Sequence, residues 1–177
     1  TELGDIILPF ILPWHSQSGY FKGQEGNGFS ASMREAAPNS VVTLRASYRY
    51  SGSQSNQSQD MKLSLSIPRG AILVPDSIQV RAEQGAASVP AIEDTKISIN
   101  ISAQAEAPSS VSGVVSYQVR LSAYPDWPTA GARAWMEFTA GNRTYSEDLG
   151  NIEIATPYVS VEAPSPVISR NIKITGQ

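Results

Sequence analysis

The sequence predicts an all-β chain folded as a two-sheet antiparallel β-sandwich, and three observations predict it. Apolar and polar residues alternate with a period of two in Met61/Leu63/Leu65/Ile67, in Ile97/Ile99/Ile101 and in Val115/Tyr117/Val119/Leu121. That period sends one set of side chains to a buried face and the other to water. The runs are short and are cut by Pro, Gly, Ser and Asn, the residues that turn a chain. They also recur roughly nine or ten times, the number of strands two packed sheets hold.

Taken in order, Ile6–Leu12 reads as an edge strand, because Pro9 and Pro13 each lack a ladder donor. Gly19, Gly23, Gly26 and Gly28 mark a loop that holds Tyr20 and Phe21, and Ser30 is placed to cap a short helix ending near Ala37 and Pro38. From Val41 the pattern is regular: Val42, Leu44, Ala46, Tyr48 and Tyr50 share one face of a long strand, and Thr43, Arg45, Ser47 and Arg49 share the other. The Ser/Gln/Asn-rich residues 51–59 read as a hairpin loop into the strand Met61–Ile67. Pro68-Arg69-Gly70 turns the chain into the short segment Ile72–Val74, and Pro75-Asp76 turns it into a strand begun by Ile78 and Val80. Residues 83–91 are small and polar and read as loop. Strands follow at 95–102, 114–121 and 132–140, then a turn at Ala140-Gly141-Asn142, with Ile152 and Ile154 on one further strand. Three parts result: an N-terminal arm with a Gly-rich loop (1–40), the sandwich (41–163), and a C-terminal strand or linker (164–177).

The stretch from Val41 to about Pro164 resembles the immunoglobulin-like repeat modules of bacterial cell-surface proteins. The residues that carry the likeness are the long opening strand, the strand leading to a proline turn, and the segment Val74-Pro75-Asp76-Ser77-Ile78-Gln79-Val80. The Tyr/Val/Leu alternation of 112–121 and the Ala-rich strand 130–139 complete it. The resemblance implies an immunoglobulin-like or jelly-roll-like sandwich that serves as a stalk segment or adhesive domain. Its partners would be other domains of the same surface protein, or a host or cell-wall glycan or protein.

Composition narrows the function classes. A chain of 177 residues buries enough surface, roughly 70%, to fold without a metal or a disulfide. Charged residues make up only 16%, below the usual quarter, and Ser, Gln, Asn and Thr take their place. A neutral polar surface suits an extracellular setting. With no cysteine the chain has no disulfides, no thiolate catalysis and no Cys-ligated zinc. A eukaryotic secreted sandwich of this size is expected to carry a disulfide, so the absence points to a bacterial surface or secreted protein. Net charge is −3 and the arginines are scattered through strands with no basic cluster, which argues against nucleic acid. No run of about 20 apolar residues exists to span a membrane.

The residues offer little catalytic chemistry. His15 is the only histidine, and no Gly-x-Ser-x-Gly elbow accompanies it. Glu137 and Glu153 would matter as an acid/base pair only if they faced each other across a cleft about 5–10 Å wide. No cofactor is expected. Glu147 and Asp148 read as lying in a turn, and with Asn142 and Asn151 they have the oxygen types calcium needs, without the spacing of a calcium loop. An intramolecular Lys–Asn bond would require a buried lysine, and Lys62 and Lys96 fall on the polar side of their strands. The aromatics are the best binding hint. Tyr124 and Trp127 share a Pro-stiffened loop, and with Trp14 they could form a platform for sugar rings. Two readings follow: a non-catalytic structural or adhesive module, and a carbohydrate-binding module built on those aromatics. Trp135, opposite the Met136/Phe138 face, is expected beneath another segment such as the N-terminal arm.

Overall fold

The computed structural model of the chain describes residues 21–52, 60–103, 110–123, 129–140 and 143–157. All regular structure among them is β: β1 (Lys22–Gly23), β2 (Gly28–Ala31), β3 (Val41–Ser51), β4 (Asp60–Ser66), β5 (Ile72–Leu73), β6 (Gln79–Gln84), β7 (Ala86–Ala87), β8 (Ala91–Glu93), β9 (Lys96–Ser102), β10 (Ser110–Arg120), β11 (Thr129–Ala140) and β12 (Arg143–Ala155). Two antiparallel sheets form. The first runs β1-β3-β10-β5, with β2 also pairing β3 and β6 also pairing β10. The second runs β12-β11-β4-β9-β7, with β8 also pairing β9. This is the two-sheet sandwich the alternation predicts.

The alternating residues meet between the sheets. Val42, Leu44, Tyr48 and Tyr50 of β3 and Val115, Tyr117 and Val119 of β10 are buried against Leu63 and Leu65 of β4, Ile97 and Ile99 of β9, and Met136 and Phe138 of β11. Burying each such side chain contributes about 1.5–3 kcal/mol, which is what holds two polar-faced sheets together. An aromatic cluster closes one end. Phe138 stacks on Tyr145 at 4.7 Å and on Phe21 at 6.4 Å, and meets Tyr50 edge-on at 5.0 Å. The Tyr117 hydroxyl crosses the core and donates to the Ser66 carbonyl at 2.7 Å.

Several local expectations change. Residues 30–37 form no helix. Residues 28–31 pair with β3, and the Ser32 N–H donates to the Thr43 carbonyl at 2.8 Å. Residues 22–31, grouped by composition with the arm, thus extend the first sheet. β3 and β4 lie in different sheets, so 51–59 joins the two layers rather than making a hairpin; residues 53–59 are outside the described residues. The loop read over 83–91 contains the end of β6, all of β7 and the start of β8. Glu147 and Asp148, expected in a turn, lie inside the thirteen-residue β12. The Pro75-Asp76 turn is where it was expected. Asp76 takes φ 55°, the Ser77 hydroxyl donates to the Val74 carbonyl at 2.7 Å, and it accepts from the Gln118 N–H at 3.1 Å.

Both lateral seams are joined. On one side the chain passes from β6 in the first sheet to β7 in the second through Gly85 alone. Its φ is +82°, and a Cβ there would lie 2.5 Å from the Ser102 carbonyl oxygen, so only glycine fits. On the other side β2 packs along β12. Here the Ala155 N–H donates to the Arg34 carbonyl at 2.8 Å and the Ala36 N–H donates to the Ala155 carbonyl at 2.9 Å.

Buried tyrosines give the fold a pH dependence. Burial, with the Glu83 charge adding to it, pushes the Tyr48 hydroxyl up from 10.0 to about 12. Burial raises Tyr117 as well, and burial followed by the Glu147 and Tyr145 charges raises Tyr50. A folded-state pKa above the unfolded one favours the protonated native state. The contribution is therefore complete below pH 10 and disappears as pH climbs through the folded values. Phenolate absorbance should show Tyr48, Tyr50 and Tyr117 silent until the chain unfolds in alkali. Ionisation of all the tyrosines near pH 10 with the fold intact would contradict this.

Candidate functional site

Most of the residues singled out as binding candidates fall outside the described residues: Trp14, Tyr124 and Trp127, with His15 and Asn142. The remaining oxygen ligands do not converge. Glu147 pairs with Met136 and so faces inward, next to Tyr50. Asp148 pairs with Trp135 and faces outward, as successive residues of a strand must. Asp148 is taken by Arg133, whose Nε donates to Oδ1 at 2.6 Å. Asn151 is exposed, level with Arg133. Glu137 and Glu153 are both on the outer face of the second sheet. Glu153 is level with Gly131, six residues from Glu137, which separates them by about 20 Å along the strand on an open surface.

The outer face of the second sheet centres on Trp135. Its ring is half-buried between the Lys96 ammonium at 5.6 Å and the Arg133 guanidinium at 5.4 Å. Ser64 and Ser98, level with Trp135 on the neighbouring strands, are buried beside it. Lys62 lies opposite Glu137, and the Ser64 hydroxyl donates to Glu137 Oε2 at 3.3 Å. The cations of this face thus sit beside a ring or a carboxylate. The Arg133–Asp148 pair is half exposed, at 51% for each side chain, and contributes only about 0–1 kcal/mol. Asp148→Asn should accordingly shift thermal unfolding by no more than about 3 °C. The lysines of β4 and β9 stay on this outer face, as their alternation indicates, so among the described residues no lysine is buried in the core.

The outer face of the first sheet is different, and sequence reading missed it. Arg45 and Arg49 of β3, Arg81 of β6, Arg120 of β10 and Lys22 of β1 are all exposed. Register places them on one surface. Arg45 is opposite Ser116 and Arg49 opposite Ser112, while Val114 lies between Ser47 and Arg81. Arg120 is level with Val41, and Lys22 is level with Ser51. The cations therefore follow a stripe about 34 Å long, ten residues of extended chain. Arg120 Nη1 donates to the Asn39 carbonyl at 3.2 Å; among the described residues Arg45, Arg49 and Arg81 have no carboxylate partner. The described carboxylates near the stripe are Glu25 and Asp76 in bordering turns and Glu83 at the β6 bulge.

No family model matches the chain, and no curated protein matches it by sequence. Solved structures do match. BcpA, the major pilin subunit of Bacillus cereus, superposes with a TM-score of 0.55 at 7% identity, over 78% of this chain and 40% of that one. The full-length major pilin SpaD from Corynebacterium diphtheriae gives 0.51 at 8%, over 75% and 35%. The collagen binding subdomain of the Enterococcus faecalis surface protein ACE gives 0.49 at 12%, over 75% and 99%. The chain thus spans about two-fifths of BcpA and one-third of SpaD. The resemblance to immunoglobulin-like modules of bacterial surface proteins is borne out as a likeness of fold.

Proposed function

We propose that this chain is a non-catalytic structural or adhesive module of a bacterial surface or secreted protein, displayed outside the cell. The observation that carries the reading is the sandwich itself, a fold shared with two bacterial pilin subunits. The dispersal of Glu137, Glu147, Asp148 and Glu153 over two faces and several levels adds support, because acid/base chemistry needs such groups to converge. On this reading the partners are other domains of the same surface protein, or a host or cell-wall component. The alternative of a module whose loop aromatics, Tyr124, Trp127 and Trp14, stack on sugar rings is not favoured by these likenesses.

The test is to expose intact producing cells and their medium to an antibody against the chain. Labelling of unbroken cells, or recovery from the medium, is the expected result. Detection only after lysis would overturn the reading, as would measurable hydrolytic turnover by the purified chain.

A further inference from the structure

We infer that the outer face of the first sheet binds an anionic polysaccharide, one bearing sulfate or carboxylate groups along its length. The inference deepens the adhesive reading and rests on it; exposure at the cell surface is measured separately from binding by the isolated chain, so failure of one is distinguishable from failure of the other.

Charge comes first. The chain carries a net −3, yet Lys22, Arg45, Arg49, Arg81 and Arg120 share one face, and the outward-facing positions of β3 and β10 hold no carboxylate. Such segregation opposes the average charge of the molecule and concentrates a positive field where an anion approaches. Guanidinium groups suit planar or tetrahedral oxyanions, because each offers a fork of donors that stays charged.

Geometry comes second. Arg45 and Arg49 are about 13 Å apart along β3, and Arg81 stands level with Ser47 between them, two strands and about 10 Å away. A small anion would meet one arginine; an extended polymer with repeated acidic groups meets several. Between the cations the face presents hydroxyls and amides, among them Ser47, Ser116 and Gln118, which suit the hydroxyls of a sugar chain.

The same inventory weighs against other polyanions. Protein interfaces are anchored by aromatic and aliphatic side chains, and here the outward positions of β3 and β10 are otherwise Ser, Thr and Gln, with Val41 and Val114 the apolar exceptions. Single-stranded nucleic acid needs aromatic platforms, and those positions hold no Phe, Tyr or Trp. Duplex DNA is read in the major groove by a helix or a two-stranded ribbon, and sheets that bind the minor groove insert apolar wedges such as Phe or Leu, which the outward positions of β3 and β10 lack.

The experiment uses the full chain and two probes, heparin for sulfate and hyaluronate for carboxylate, with neutral dextran as control. Retention on at least one charged probe at about 0.15 M salt, weakening steadily as salt rises, is expected. Arg45→Ser/Arg49→Ser/Arg81→Ser should weaken binding about tenfold or more, and Arg81→Ser alone about threefold. These side chains are exposed and make no core contacts, so the melting temperature should be unchanged; the single variant serves as the test if the triple one fails to fold. Lys62→Ser, on the opposite face, should bind like the parent. Absence of retention on both probes, an equal loss in Lys62→Ser, or dextran binding as tight as that of the charged probes would overturn the inference. Tighter binding to polyglutamate or to duplex DNA would overturn it too, by assigning the face to an acidic protein or to nucleic acid.

Discussion

Phe138→Ala is expected to lower stability by about 3–5 kcal/mol, among the largest losses available to a single substitution in this chain. The ring is fully buried and joins three others, Phe21, Tyr50 and Tyr145, that come from separate parts of the chain. Two of these, Phe21 and Tyr50, belong to the first sheet and the segment leading into it, while Phe138 and Tyr145 face each other across the β11–β12 pair of the second. Removing the central ring leaves a space walled by stiff aromatic side chains, which cannot close in to fill it. For a chain of this size each kcal/mol moves the melting temperature by about 2–4 °C, so a drop of about 10 °C or more is expected. Thermal unfolding followed by circular dichroism measures it, and a loss under about 1 kcal/mol would show that the cluster adds little.

Gly113→Val comes next, with an expected destabilisation of about 3 kcal/mol, the upper end for an overpacked core. Gly113 sits in β10 between Tyr48 of β3 and Ala82 of β6. A Cβ there would lie 2.5 Å from the Arg81 carbonyl oxygen and would collide with Tyr48, with its hydroxyl oxygen first and with Cζ at 2.7 Å. The first neighbour is backbone fixed in the β6–β10 ladder, and the second can move only by leaving the core. The Tyr48 ring thus occupies the space a side chain at 113 would need. Because the buried Tyr48 hydroxyl has no hydrogen-bond partner among the described residues, Tyr48→Phe alone should be neutral or slightly stabilising. Combined with Gly113→Ala it should recover part of the loss, and chemical denaturation of the two single variants and the double variant gives the coupling. Strictly additive losses would mean that the clash lies with the Arg81 backbone alone.

What was legible in the sequence, and what was not, follows from how much of each element is local. β3, β4 and β9 alternate without interruption, and hydropathy alone places their buried faces. β12 reads as two pieces because a bulge between Ala134 and Trp135 on the partner side inserts Leu149 as an extra residue. Tyr145 faces inward before it, and Ile152 and Ile154 face inward after it, so the parity of the pattern changes within one strand. Asp148, Gly150 and Asn151 are turn-formers by type, and only pairing with β11 overrides that preference. Residues 30–37 fail as a helix for a similar reason: a local cap signal is outweighed by pairing with β3, which the local sequence does not contain. The cationic face is the clearest instance. That Arg45, Arg49 and Arg120 point to solvent is readable from parity, but that β3, β10 and β6 are neighbours is a property of the topology. Arginines spaced across the chain therefore look scattered until the strands are laid side by side.

Traction along the strands would try to shear one layer past the other, and apolar contacts alone resist sliding poorly because they have no direction. The Gly85 strap and the Arg34/Ala36–Ala155 clasp stand at opposite margins of the sandwich, one covalent and one built of directional backbone bonds. Slip of either layer must break the clasp or distort the strap, so tension is shared between two remote fastenings instead of peeling the sandwich open from one margin.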